Sequence, residues 1–227
     1  AFASPHFNLS VSSGDTPADY VDSIKILIFF TMLTLLPSFI IMFTSFTRIT
    51  VVFSLLKNAI GAQQSIPSQI LVGLAIFLTI FIMQPVYTEI NEVALKPYSK
   101  EEITFEQALE NASNPIKDFM LKETRQKDLE LFVDAAKLNS GELTRKNIPL
   151  YSIVPAFAIS ELKTAFQIGF LLFVPFMVID MIVASVLMSM GMMMLPPTVI
   201  SLAFKLLLFV MVDGWNLIVK SLITSFS

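Results

Sequence analysis

The chain has 227 residues, of which 55% are hydrophobic and only 15% charged, with a mean hydropathy of +0.73 and a formal net charge of -3. Soluble domains carry about 25% charged residues, so this is a membrane-class composition, and without a basic stripe it excludes nucleic acid as a partner. The absence of cysteine excludes disulfides and thiolate chemistry, and a single histidine leaves no His-based dyad and no zinc ligand set.

Residues 1–22 form a polar arm carrying Asp15, Asp19 and Asp22, and read as a weakly ordered extracytoplasmic segment. His6 lies here, outside every hydrophobic block, and reads as a surface residue. Ala1-Phe2-Ala3-Ser4 reads either as the mature end left by a removed signal peptide or as an arbitrary start.

A first hydrophobic helical hairpin is expected over residues 23–88. Its first block, Ile26 to Thr47, carries no charge. A spanning helix needs about 20 residues, so the block is long enough, and Pro37 should kink it. A polar turn with Arg48 and Lys57 follows, with Gly61 as a helix stop. The second uncharged block, Ile66 to Thr88, opens at Pro67 and closes near Pro85.

Residues 89–152 read as a soluble helical insertion. Residues 88–152 hold 12 of the 18 acidic and 9 of the 15 basic side chains. Asn114-Pro115 reads as an N-cap followed by proline at the first helical position. Ile116, Phe119, Leu129, Phe132, Val133 and Ala136 give the helix an apolar stripe, with Asp118–Lys122 and Glu123–Lys127 as i,i+4 pairs. Gly141 reads as the end of the helix, and a shorter helix around Phe105 to Leu109 should pack on it.

Residues 153–227 read as a second hydrophobic hairpin, with a Met-rich loop at 188–197. The block Ile153 to Leu187 contains Glu161, Lys163, Gln167 and Asp180, and the block Thr198 to Ser225 contains Lys205 and Asp213. An ion facing lipid costs at least roughly 2.5–3.5 kcal/mol at mid-bilayer. Glu161, Lys163, Asp180, Lys205 and Asp213 must therefore face protein or water, and they form a set for pairing between helices or subunits. Glu161 with Lys205 is the expected pair. Glu161 and Asp180 also admit a second reading, the proton path of a small-solute or ion transporter. Ala156, Ala158, Ser160, Ala165 and Gly169 are small enough to let helices approach closely.

Five of the 12 methionines lie between Met188 and Met194, and Pro196-Pro197 stops any continuous helix across the run. Methionine is unbranched and polarizable. The run reads either as gap-filler in a packed turn or as a soft, deformable seal.

Loop charges suggest a topology. The arm and the long insertion are each net -3, whereas residues 47–65 are net +2. Lys and Arg favour the cytoplasmic side. The N-terminus and the 89–152 insertion are thus expected in the periplasm, and Arg48, Lys57 and the methionine loop on the cytoplasmic side. There is no phosphate-binding or dinucleotide glycine motif, and neither an enzyme activity nor a cofactor is expected.

Ser45-Phe46-Thr47-Arg48-Ile49 and Leu55-Leu56-Lys57-Asn58-Ala59 resemble the opening signature of the FliP/SctR family of type III export-gate proteins. Ile159 to Phe170, Ile179 to Met194, Phe204 to Val210 and Val212-Asp213-Gly214-Trp215 are similar to the rest of that family's pattern. Two positions depart from it: Ile66-Pro67 stands for a Pro-Pro pair, and Ala203 for a proline before Phe204. The resemblance covers roughly residues 20–225. It implies an all-α, membrane-associated protein of hairpins with kinked and interrupted helices, assembling into a ring or helical pore. It implies a ring of five copies that joins FliQ and FliR at the core of the flagellar basal body in the bacterial inner membrane, works with FlhB and FlhA, and passes unfolded flagellar subunits. The resemblance also implies an assembly lifted largely out of the bilayer plane. In it Met192, Met193 and Met194 would form a gasket around the pore, and Glu161 and Lys205 would lie between neighbouring subunits.

Overall fold

The computed structural model describes residues 17–63, 65–138, 147–192 and 195–226. The described residues are helical, with no strand among them, as expected for an all-α membrane protein. The chain divides into two compact units, residues 1–40 and 41–227.

The first unit is the greater part of helix α1 (Pro17–Phe43). Leu27, Ile28, Phe29, Met32, Leu33 and Phe39 are all exposed on it, so its apolar surface is not covered within its own unit. The segments Ile26–Leu35 and Pro37–Phe43 meet at 45°. Proline lacks the N–H that would close the helical ladder, and the bend falls where Pro37 predicts it.

In the second unit, the segment expected to be a polar turn is instead a helix, α2 (Phe46–Ile60). Its buried residues, Arg48, Ile49, Val52, Phe53, Leu56, Ala59 and Ile60, recur every three to four positions, the stripe of a helix with one face in a core. Gly61, at φ 83°, closes it: the Gly61 N–H donates to the Asn58 carbonyl and the Ala62 N–H to that of Lys57. A residue with a Cβ is strained in this left-handed conformation. Helix α3 (Ser68–Ile82) then folds back on α2 and breaks at Met83 into α4 (Gln84–Ile90), the segments Ser68–Ile82 and Gln84–Ser99 meeting at 52°.

A π-helical turn (Asn91–Leu95) and the short α5 (Lys96–Ser99) lead into α6 (Phe105–Glu123). The start of α6 differs from the expected Asn114-Pro115 cap. It is set ten residues earlier by a capping box, in which the Thr104 hydroxyl accepts from the Gln107 N–H and the Gln107 side chain accepts from the Thr104 N–H. Pro115 sits inside this helix, buried. The helix ends at Thr124, so Glu123 and Lys127 fall on different helices. Helix α7 (Gln126–Ala135) stops at Ala136, with Lys137 at φ 53°; Gly141 lies outside the described residues.

Helix α8 (Leu150–Ser189) is continuous over 40 residues. At about 1.5 Å per residue it is roughly 60 Å long, twice the roughly 30 Å hydrocarbon thickness of a bilayer. It is the one described helix that is by itself long and apolar enough to cross a membrane, and only 11% of its most apolar 18-residue window is buried. After the methionine turn, α9 (Pro197–Met211) folds back on α8, and α10 (Gly214–Thr224) leaves it at 64°.

The two long-sequence-range partners α2 and α8 form the most extensive packing in the unit. Arg48 lies against Glu161 and Leu55 against Gly169, so the two helices run parallel. A Cβ built on Gly169 would stand 2.2 Å from Leu55 Cδ1 and 3.0 Å from its Cβ, so glycine is what allows this approach. Of the small residues named for close packing, Ala156, Ser160, Ala165 and Gly169 are buried and Ala158 is half-buried. One core joins α2, α3, α8, α9 and α10; a second joins Met120 and Leu121 of α6 to Ile153 and Phe157 at the start of α8.

Candidate functional site

Three polar clusters and one apolar turn are the places where this chain departs from plain helix packing. The first cluster centres on Arg48, 2% exposed, in the first turn of α2. Its Nε donates to Glu161 Oε2 at 3.0 Å, and one terminal nitrogen donates both to Glu161 Oε1 and, at 2.8 Å, to Glu123 Oε2. The other terminal nitrogen donates to the Ser225 carbonyl at 2.8 Å and to its Oγ at 3.0 Å. A guanidinium has five N–H donors, and these five bonds use them all. Phe226 stacks on the guanidinium, 3.7 Å from ring centroid to Cζ, and on Phe119. Glu161 has no exposed surface.

The second cluster holds Lys205 and Asp180. Lys205 Nζ donates to Asp180 Oδ2 at 2.5 Å and to the Ala59 carbonyl at 3.1 Å, and Ser201 Oγ donates to Asp180 Oδ1 at 2.6 Å. Ala59 is in the last turn of α2, whose carbonyls carry the negative end of the helix dipole, so the Lys205 ammonium serves as a cap as well as an ion-pair partner. Lys205 is nearly buried, whereas the Asp180 side chain is 36% exposed.

The third cluster docks the insertion on α8. The Arg125 N–H donates to Ser160 Oγ, which in turn donates to Asp128 Oδ2, and the Arg125 guanidinium donates to Thr164 and Gln167. Buried Ser160 thus caps α7 from outside it.

The methionine turn begins with a glycine-based helix stop. Gly191 is at φ 73°, its N–H donates to the Met188 carbonyl, and the Met192 N–H donates to the Leu187 carbonyl. This paired pattern closes α8 and turns the chain toward Pro196-Pro197. Met188, Met190 and Met192 are all exposed; Met193 and Met194 lie outside the described residues.

Several expected relations change. Glu161 and Lys205 do not meet within the chain: Glu161 pairs with Arg48, and Lys205 with Asp180. Glu161 and Asp180 stand nineteen positions apart on α8, about 28 Å at ~1.5 Å per residue. Arg48 and Lys57 do not share a loop. Arg48 is enclosed at the end of α2 that meets the insertion, and Lys57 is in the last turn at the other end, bonded to Ser68. Lys163 and Asp213 are exposed, and neither has an ion-pair partner among the described residues. The partners that sequence reading missed are Glu123, Ser225, Ser201 and the Ala59 carbonyl. A charge set within the apolar run of α2 was the available signal for Arg48, since such a charge demands a buried carboxylate.

The profile of the FliP family matches residues 29–222. The chain is 54% identical to the "Flagellar biosynthetic protein FliP" of Bacillus subtilis, over 96% of this chain and 98% of that protein. It is 50% identical to the protein of the same name from Aquifex aeolicus, over 98% and 92%, and 50% identical to that of Pectobacterium carotovorum, over 90% and 79%.

Proposed function

We propose a function from the premise that the chain belongs to the FliP family, whose members are flagellar biosynthetic proteins. In our reading it is a non-enzymatic subunit of the flagellar type III export gate. Copies of the chain, five in a ring, join FliQ and FliR in the inner membrane at the flagellar basal body, next to FlhA and FlhB. Unfolded flagellar subunits pass through the pore. The arm and the insertion lie on the periplasmic side; with Arg48 enclosed, only Lys57 of the 47–65 cations is left to favour the cytoplasmic face.

The observation that carries this reading is the methionine turn. The exposed thioethers of Met188, Met190 and Met192 flank the Gly191 helix stop, and the next helix opens at Pro196-Pro197. A ring of such turns closes a pore by apolar contact that excludes water. Flexible thioethers can part around a chain of any sequence and reseal. The exposed apolar surfaces of α1, α3, α8 and α9 supply area for neighbouring subunits and lipid. The transporter reading is weakened by the separation of Glu161 from Asp180, each held by its own cation.

Replacing Met192, Met193 and Met194 together by alanine tests the gasket. The expected result is an ion leak through membranes that contain normally assembled complex, read as loss of membrane potential. A mutant that assembles and stays tight would overturn the gasket.

A further inference from the structure

Among the described residues, one polar feature outside the methionine turn and the three clusters lies on the C-terminal helix. Asn216, Lys220 and Thr224 recur every four residues on one face of α10, and Asp213, the residue before the helix, lines the same groove. All four are exposed. The opposite face, Gly214, Ile218 and Leu222, is buried in the core. Among the described residues neither Asp213 nor Lys220 has an ion-pair partner. The stripe borders a groove of about 670 Å³ whose remaining lining is apolar, Leu74 of α3 and Trp215, Val219 and Ile223 of α10, so the polar groups form its rim.

The contrast with α9 is sharp. The exposed side chains there, Phe204, Leu207, Val210 and Met211, are apolar, which suits lipid or an apolar partner. The change in character coincides with the break between the helices. There Asp213 adopts φ 51°, ψ 52°, and its side chain caps no N–H of α10. Interrupted helix at membrane depth is tolerated only where it is enclosed by protein or lines a water-filled cavity, and Val212 and Asp213 are not enclosed.

We infer that the polar stripe of α10 faces the aqueous conduit of the gate and forms part of the wall along which the exported chain moves. This rests on the export-gate reading above. Water is favoured over a protein partner by the composition of the stripe: one acid, one base, an amide and a hydroxyl. These groups hydrate well and sum to zero charge, so they neither select an exported chain by charge nor hold it by apolar contact. A partner surface would need to supply a match for each charge.

The natural absence of cysteine makes the test direct. Single cysteines at Asn216, Lys220 and Thr224, and at exposed Leu217 and Met211 as apolar controls, are introduced into the full chain assembled with FliQ and FliR. Each variant is first checked for normal complex on a native gel. A charged, water-soluble thiol reagent should modify the stripe at least about tenfold faster than the controls, because an apolar environment raises a thiol pKa and one unit is a tenfold change in thiolate. Stripe labelling should fall when the gate is jammed by a flagellar subunit fused to a stably folded domain. Stripe and controls labelled alike, a stripe that resists the reagent, or labelling indifferent to the jammed substrate would each overturn the inference. Flagellar export by the unmodified chain, measured in the same cells, tests the gate reading separately.

Discussion

Arg48 makes the sharpest demand of any single residue. Removing one partner of a buried ion pair leaves an uncompensated charge and costs about 3–5 kcal/mol. Arg48→Ala strands Glu161, which has no access to water, together with Glu123. We expect loss of that order in the unfolding free energy, seen as a collapse in the melting temperature of the purified protein. Arg48→Lys should fail nearly as badly, because an ammonium has three donors and no planar fork for the bidentate contact. Asp180→Asn provides the contrast. The Asp180 side chain is 36% exposed and Lys205 keeps the Ala59 carbonyl, so a cost of about 1 kcal/mol, the scale of one net hydrogen bond, is expected. Equal melting temperatures for Arg48→Ala and Asp180→Asn would refute this ranking. Glu161→Ala is expected to weaken the protein through an orphaned Arg48, not through Lys205.

Elements carry the next set of expectations. Gly169 is the contact point of α2 and α8, and an added Cβ would overlap the Leu55 side chain. Overpacking a tight core typically costs 1–3 kcal/mol, so Gly169→Ala should lower thermal stability by about that amount. A Leu55→Ala change in the same chain should restore part of it; no restoration would remove the steric account. Gly191 is different. The space around it is open, and only its backbone conformation at φ 73° calls for glycine. Gly191→Ala should cost about 1–2 kcal/mol through left-handed backbone strain alone. Its measurable consequence should be on the methionine turn: raised ion leak with α2 and α8 still packed, scored by intact melting of the complex.

Much of this architecture was legible in the residues. The hydrophobic blocks became α1, α3 with α4, α8, and α9 with α10, and Pro37 and Pro85 each lie at a bend. What was not legible has a physical reason. Ile49, Val52, Phe53 and Leu56 already show helical spacing, but two cations within ten residues disguised α2 as a polar turn. Arg48 is tolerable in a core only because Glu161 and Glu123 reach it from 113 and 75 residues away, and such distance is invisible to local pattern. The Thr104 capping box was outweighed by the stronger-looking Asn114-Pro115. Spacing along α8 marked Glu161 and Asp180 as groups in need of a polar partner, yet it could not say which cation each would meet.

On the scale of the whole molecule, the polar clusters tie distant parts of the sequence into one unit. Arg48 gathers α2, the insertion, α8 and the Ser225 segment, while Ser160 holds the start of α7. The insertion is therefore a structural brace for the second unit, and its polar contacts are internal. What the chain leaves exposed is apolar helix surface well beyond the few hundred Å² usual for a soluble monomer. A roughly 60 Å helix set across a roughly 30 Å hydrocarbon layer leaves about half its length outside that layer, and the apolar side chains exposed there call for cover by protein. A multi-subunit gate accounts for both facts. The most direct test is the native mass of the detergent-purified protein, alone and coexpressed with FliQ and FliR. The account predicts a stable ring of several copies that recruits both partners. A monomer or dimer that ignores them would contradict it.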